Sequence, residues 1–246
     1  MIFVIVLIIT AVRIKSMDSH RISGRILAEN IAGPGMLRLV EQSMQAWARK
    51  TSVTEIAVKE RKHPQAALTF DDGPDIRYTP LLLDGLKERN IRVSFFLLGE
   101  KVEQYPELVE RMQKEGHLVG NHTYHHVQLN KLNETKAREE ILKTNNLIYE
   151  TTGVYPLYLR PPFGAWKKNL ELCVEMFPVF WTIDTLDWKV QNTEKIVRTV
   201  QEQIEDGAII LMHDEYDTSV EAALQVVDEL KNQGYELVTV DQLILP

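Results

Sequence analysis

The stretch Thr69-Phe70-Asp71-Asp72-Gly73-Pro74 decides the fold, because it ends an apolar run with two adjacent carboxylates and then breaks the run. Residues 66–70 predict a buried strand, and Gly73-Pro74 is turn chemistry. Since successive side chains of a strand point to opposite faces, we expect Asp71 and Asp72 to do different work, one on a metal and one on a proton. Taken alone, the stretch is equally compatible with a solvated turn.

A histidine cluster follows about fifty residues later, in Asn121-His122-Thr123-Tyr124-His125-His126. His122 and His126 are four residues apart, which brings two imidazoles to one side of a helical turn or tight loop, as a divalent metal requires. A structural or surface histidine pair can have the same spacing. Together with the acidic pair, the spacing of His122 and His126 predicts a site of two histidines and one carboxylate. Such a site leaves coordination positions open for water and substrate.

Three further apolar segments end in polar or charged residues. They are 157–159 before Arg160-Pro161-Pro162-Phe163-Gly164, 179–183 before Asp184-Thr185-Leu186-Asp187-Trp188, and 208–212 before His213-Asp214. Each segment predicts a buried strand. An ion-paired arginine, a surface acid cluster and a core histidine would explain the segments singly, but five such strand ends together are typical of parallel α/β barrels, whose active sites form at the carboxyl ends of the strands.

The remaining pattern completes an α/β alternation. Amphipathic helices are predicted over 78–89, 102–115, 134–151, 193–205 and 219–233, and further strands over 93–98, 118–119 and 236–240. The sequence therefore predicts a distorted or incomplete (β/α) barrel with about seven parallel strands.

In this order, the five blocks resemble those of the polysaccharide deacetylases with the NodB-homology domain, carbohydrate esterase family 4. The blocks are 69–74, 122–126, 160–164, 184–188 and 211–213, and the resemblance covers about residues 64–245. It implies a hydrolase that removes N-acetyl groups from N-acetylglucosamine residues of a cell-wall glycan, with peptidoglycan as the first choice, or of a chitin oligomer. An O-acetyl xylan esterase, or an inactive glycan-binding module on the same fold, is the alternative.

The resemblance also implies a role for each motif residue. Asp72, His122 and His126 would bind one divalent ion, with Zn²⁺ as the first choice and Co²⁺ or another ion as alternatives. Asp71 would be the general base, and His213 would protonate the departing amine.

Supporting residues follow from the same motifs. Arg160 would hold Asp71 in place, and either Asp184 or Asp187 would orient His213, with Asp187 favoured. The oxyanion would lie near a backbone N–H of Phe163. Trp188 would offer a flat face to a sugar ring and Leu211 would line the acetyl pocket, although core packing explains both equally well.

The amino end has a different character. Residues 2–12 are almost wholly apolar and are followed by Arg13 and Lys15, but they are too few to span a bilayer. We expect a membrane anchor or signal-like segment over 1–15, with a buried strand as the alternative. Residues 16–63 then predict a basic linker in which 36–50 could form an amphipathic helix, and residues 64–246 predict the catalytic domain.

Charge and cysteine content restrict the partners. Residues 1–65 carry ten Lys/Arg against five Asp/Glu and the remainder 18 against 30, so the net charges are +5 and −12, which together give the −7 of the chain. An acidic catalytic part argues against nucleic acid and suits a glycan, while a basic lead-in suits an anionic membrane or a solvated linker. The lone Cys173 excludes an intrachain disulfide. We expect a monomer in the bacterial cell envelope, extracytoplasmic and either membrane-anchored or secreted.

A different enzyme class can use the same ligands. Two histidines and one carboxylate also suit the Fe(II) of non-haem oxygenases. The all-β scaffold usual for those enzymes is not predicted here, and Asp71 and His213 would have no role in them. The amidase therefore remains the favoured interpretation.

Overall fold

The computed structural model describes residues 62–166 and 176–244 of the chain. They belong to one compact unit, Lys62–Pro246. The anchor predicted over 1–15, nearly all of the linker, its helix over 36–50 and Cys173 lie outside the described residues, so those predictions stay predictions. Within the described ranges, no helix is both long enough and apolar enough to cross a bilayer.

An open parallel sheet forms the centre of this unit. Its strands are β1 (Gln65–Asp71), β2 (Ser94–Leu97), β3 (Leu118–Asn121), β4 (Tyr158–Leu159), β5 (Phe177–Pro178), β6 (Ile183–Asp184), β7 (Ala208–His213) and β8 (Glu236–Leu237). Seven strands follow the order β5-β4-β3-β2-β1-β7-β6, and β8 pairs with the first two residues of β1. The prediction of an incomplete barrel with about seven parallel strands is confirmed.

Helices alternate with most of these strands. They are α1 (Thr79–Glu88), α2 (Gly99–Gln104), α3 (Pro106–Lys114), α4 (Glu134–Thr152), α5 (Asp187–Val190), α6 (Thr193–Gln203), α7 (Asp217–Asn232) and α8 (Val240–Ile244). The Asn133 side chain accepts a hydrogen bond from the Lys136 amide and caps α4, and Gly153 ends that helix at φ 73°. The longest of the described helices therefore begins and ends where cap residues stand in the sequence, and Asn192 caps the start of α6 in the same way.

The single helix predicted over 102–115 is wrong, because Pro106 divides it. Helix α2 ends at Gln104 and α3 begins at Pro106, with Tyr105 between them at φ −133°, ψ 55°. A proline disfavours helical geometry in the residue before it but fits the first turn of a new helix.

Three predicted strands are also wrong in extent. Segment 179–183 is not one buried strand: β5 ends at Pro178, β6 begins at Ile183, and these two strands lie at opposite ends of the sheet path, so the chain must cross between them. Only Tyr158 and Leu159 of 157–159 are in a strand, and Leu157 is 51% exposed. The last strand stops at Leu237, since Val238 and Thr239 have no regular secondary structure and α8 begins at Val240.

The two faces of β1 bury different sets of residues. Ala66, Leu68 and Phe70 pack with helical residues in the main core, whereas Ala67 packs on the opposite face with Phe96 of β2. Alternation therefore directs Thr69 and Asp71 to the same face as Ala67.

Candidate active site

The two carboxylates at the end of β1 reach the same cavity. Asp71 follows the alternation of the strand, but Asp72 has a left-handed backbone, φ 68°, which turns its side chain back. The Nε2 atom of His122 lies 3.7 Å from Asp71 Oδ2 and 3.3 Å from Asp72 Oδ1. The expectation that the two side chains point to opposite faces is wrong, since alternation ends where the strand does. Different roles for the two acids must come from their different partners.

Arg160 is the partner of Asp71. Its Nη1 donates to Asp71 Oδ1 at 2.8 Å and to Thr69 Oγ1 at 2.6 Å. The arginine is completely buried, and its guanidinium carbon lies 4.2 Å from the centroid of the Phe96 ring. A planar guanidinium held on an aromatic face fixes the orientation of the carboxylate it binds.

His122 is fixed by the backbone of Arg160. Its Nδ1 lies 2.6 Å from the Arg160 carbonyl oxygen. A carbonyl can only accept, so Nδ1 carries the proton and Nε2 presents its lone pair to Asp72. On the other side of Asp72 Oδ1, the Nε2 of His126 lies 3.4 Å away.

The loop that carries both histidines is a tight loop and not a helical turn. Thr123 and His126 both have positive φ, 68° and 54°. The Oε2 of Glu140, on α4, accepts hydrogen bonds from the amides of Tyr124 at 3.0 Å and His125 at 2.9 Å. The Asn121 side chain accepts from the Thr123 amide at 2.7 Å. These bonds hold the loop in a shape that two of its residues would not adopt by preference.

Asp72, His122 and His126 form a triad that fits a divalent metal. One ligand atom from each lies within 4.8 Å of the other two. Asp72 Oδ1 is buried and has no hydrogen-bond partner among the described residues, although two imidazole nitrogens face it. An orphaned anionic oxygen between two lone-pair donors is the arrangement that a cation satisfies.

Electrostatics also suit a metal at the triad. Burial raises the pKa of Asp72, but the surrounding imidazoles of His122, His126 and His213 outweigh burial, so the pKa lies below its usual value. Burial is the main reason why the pKa of His126 is lowered. The triad is therefore biased towards an ionised carboxylate and a neutral His126, the protonation states that a metal ligand needs.

His213 lies opposite the triad and is held by Asp187. Asp187 Oδ1 lies 2.8 Å from His213 Nδ1, and its Oδ2 accepts from the His213 amide and from Ser219 Oγ, both at 2.7 Å. Burial lowers the pKa of His213, but the hydrogen bond and charge of Asp187 together with Asp71 and Asp72 raise it to about 9. Asp184 instead accepts from the Leu186 amide at 3.0 Å. Of the two acids that the sequence left open, Asp187 is thus the one in contact with His213.

A cavity of about 460 Å³ joins these side chains. Its lining comprises Asp71, Asp72, His122, His126, Phe163, Trp181, Asp184, Trp188, Leu211, His213, Glu215 and Tyr216. Leu211 is buried, whereas Phe163 and Trp188 are 65% and 49% exposed. The half-exposed Trp188 is therefore not the core aromatic that its sequence context allowed.

Sequence reasoning missed three of the lining residues. Glu215 and Tyr216 lie two and three positions after His213, which ends a strand, so the rule that strand ends carry the site could have included them. Trp181 lies in the segment mistaken for a strand, where no side-chain direction could be assigned.

Comparison with known proteins gives the same picture. The family model described as "Polysaccharide deacetylase" matches residues 58–178. Over 185 residues the chain is 41% identical to the peptidoglycan-N-acetylglucosamine deacetylase PgdA of Listeria monocytogenes, covering 75% of this chain and 40% of that protein. A peptidoglycan-N-acetylglucosamine deacetylase of Bacillus cereus is 39% identical over 186 residues, 73% of this chain and 68% of that protein.

A third relative differs in the sugar that its name gives. The peptidoglycan-N-acetylmuramic acid deacetylase PdaC of Bacillus subtilis is 43% identical over 177 residues, 72% of this chain and 38% of PdaC. Its solved structure superposes with a TM-score of 0.72 at 42% identity, covering 74% of this chain and 91% of that structure. The chain thus spans about two fifths of the length of PgdA and PdaC.

Proposed function

Because this chain belongs to the polysaccharide deacetylase family, we propose that it hydrolyses the N-acetyl groups of N-acetylglucosamine residues in peptidoglycan. The reaction is the hydrolysis of a carbon–nitrogen bond that is not a peptide bond. The observation that carries the proposal is the cavity itself, where Asp71 and His213 flank the Asp72–His122–His126 triad.

Zn²⁺ is the ion we propose for the triad, with Co²⁺ or another divalent ion as the alternative. Two imidazoles and one carboxylate are a ligand set of catalytic zinc sites, which keep a position open. When bound, such an ion supplies a Lewis acid that polarises the acetyl carbonyl and acidifies a water.

Asp71 and His213, on two sides of the cavity, each carry out one proton transfer. Asp71, held by Arg160, accepts a proton from the attacking water. His213, oriented through Nδ1 by Asp187, donates a proton from Nε2 to the departing amine. Water and amide thus become acetate and amine. The backbone of Phe163, whose ring lies 4.6 Å from that of His126, provides an N–H for the oxyanion.

The charge of the cavity lining favours a neutral sugar. Asp71, Asp72, Asp184 and Glu215 line it, and no lysine or arginine is among its described lining residues. Asp71 pairs with Arg160, Glu215 pairs with Lys101, and Asp72 would hold the ion. Asp184 is therefore the lining acid without a cationic partner among the described residues, and it would repel the lactyl carboxylate of N-acetylmuramic acid without its peptide. The name of PdaC keeps muramic acid as the second candidate.

The direct test is acetate release from purified peptidoglycan, followed by analysis of the sugars. We expect glucosamine to form in the wild-type digest and not in that of Asp71→Asn, and chelation to stop the reaction until zinc is restored. Muramic acid freed of acetate would move the assignment to the second candidate. Acetate release from acetylated xylan or chitin oligomers alone would overturn the peptidoglycan assignment, and no release from any glycan would favour the binding module.

We also propose that the chain acts outside the cytoplasm, at the bacterial cell envelope, because peptidoglycan is located there. Residues 1–15 would anchor it or direct its secretion, and we propose that it is monomeric. Protease treatment of intact cells producing the full chain with a carboxyl-terminal tag tests the location. A protected tag in intact cells would contradict it.

A further inference from the structure

Asp214, directly after the proposed acid His213, is a buried carboxylate that the reaction does not use. It is completely buried, and its Oδ2 accepts a hydrogen bond from Thr79 Oγ1. Thr79 Oγ1 in turn accepts from the Asp75 amide at 2.8 Å. Through these two bonds, Asp214 connects the end of β7 with the loop that follows β1.

Asp214 also packs against the residue next to Asp72. A Cβ placed on Gly73 would lie 2.4 Å from Asp214 Oδ1, so only glycine permits this approach. Asp214 Oδ1 is buried, and no hydrogen bond to it is found within the described residues. A buried carboxylate oxygen without a hydrogen bond lowers the free energy of unfolding. A gain in folding stability therefore does not explain why Asp214 stands here.

The segment that Asp214 contacts is held in an unfavourable conformation. Asp72 is left-handed, a conformation that costs free energy in any residue but glycine, although aspartate adopts it more often than most, and such residues persist where their surroundings over-determine them. On one side the Gly73 carbonyl accepts from the Leu98 amide at 3.2 Å. The Asp214 side chain occupies the space beside the Gly73 Cα.

We propose that Asp214 is a positioning residue. It holds the left-handed turn at Asp72–Gly73 so that the Asp72 carboxylate faces His122 and His126. The inference rests on the proposed metal-dependent function. Asp214 acts through its shape and its bond from Thr79, and its negative charge is not required. Asparagine should therefore replace it, whereas alanine should leave the turn free to relax.

Zinc affinity of the full chain, measured by competition with a chelator of known affinity, tests this without relying on turnover. Partners that orient metal ligands are worth about 10–100-fold in affinity. We expect a loss of about that size in Asp214→Ala, and less than about threefold in Asp214→Asn. Thr79→Val, which removes the hydroxyl that donates to Asp214, should weaken zinc binding by a smaller factor. Thr79→Ser keeps the hydroxyl and should bind zinc as tightly as wild type.

The matched control is Val200→Ala, a truncation of a buried side chain on α6. It should lower Tm without changing zinc affinity, which separates positioning from general destabilisation. If Asp214→Ala does not fold, the Thr79 pair still decides, since equal affinity in Thr79→Val and wild type would overturn the inference. Wild-type affinity in Asp214→Ala, or equal losses in the alanine and asparagine variants, would overturn it as well. A wild-type chain that binds no zinc would overturn the proposed function together with the inference.

Discussion

The two sides of the cavity are built differently. On the metal side, Asp71 ends β1 and His122 directly follows β3, strands of seven and four residues whose registers are fixed by neighbouring strands. On the acid side, Asp184 belongs to a two-residue strand, and the left-handed Leu186 leads into the four-residue helix that carries Asp187. The sheet places Asp71, His122 and also His213, which ends β7, but Asp187, the residue that orients His213, is held by single side-chain hydrogen bonds. We therefore expect substitutions on the metal side to have the larger effects.

Exchanging each acid of β1 for its amide should give the largest effects and separate their roles. Asp71→Asn should keep zinc but lose about two to four orders of magnitude in turnover, the usual contribution of a positioned base. Asp72→Asn should instead lose zinc, because an amide is a poor replacement for an anionic ligand. Metal content and rate, measured for both variants, check this. Zinc loss in the first variant with zinc retention in the second would mean that the two roles are exchanged.

On the acid side, His213→Ala should slow an N-acetyl substrate by about a hundredfold, within the range for general acids. An activated aryl acetate should be affected much less, because its leaving group needs little protonation. Asp187→Asn should show the same substrate dependence to a smaller degree. Asp184→Asn is the control, since an asparagine can still accept from the Leu186 amide. Equal losses on both substrates in His213→Ala would show that this histidine supports the fold or the binding of substrate.

The contrast between the two sides also explains what the sequence could predict. The strand ends at Asp71, His122 and His213 follow from apolar runs that stop at polar residues, and the motif order then identifies the family. Asp72 could not be oriented, because its left-handed backbone is followed by Gly73, which contacts Leu98 and Asp214, residues just after β2 and β7 that are distant in sequence. The choice between Asp184 and Asp187 depended on Ser219, thirty-two positions beyond Asp187, which completes the hydrogen bonds of the buried acid.

Binding at the exposed rim should be affected less than turnover. Trp188 lines the cavity and is half exposed, so its free face can stack on a sugar ring. Trp188→Ala should raise KM about fivefold with kcat nearly unchanged, consistent with about 1 kcal/mol for such an aromatic contact. Trp188→Phe should recover most of the loss. Leu186→Ala, an exposed neighbour outside the cavity lining, should change neither constant. A fall in kcat without a change in KM would show that Trp188 shapes the acid side and does not bind sugar.

The smallest effect on turnover, and a distinct effect on stability, is expected from Asp214→Asn. Burial raises the pKa of Asp214 to about 7, against an ordinary value of 3.8, with Glu215 adding to the rise and Lys101 and the Thr79 hydrogen bond opposing it. Between pH 4 and 7 the unfolded chain therefore loses this proton while the folded chain keeps it, so folding stability falls as the pH rises and the penalty levels off above pH 7. Asparagine cannot ionise, so the free energy of unfolding of the variant minus that of wild type should grow from pH 5 to pH 7 and then level off. Urea unfolding of both proteins at pH 5, 6, 7 and 8 measures the difference, with chelator present so that metal binding does not contribute. A difference that is flat or shrinks over this range would mean that Asp214 is ionised in the folded protein, and a charge-based role would then replace the shape-based one.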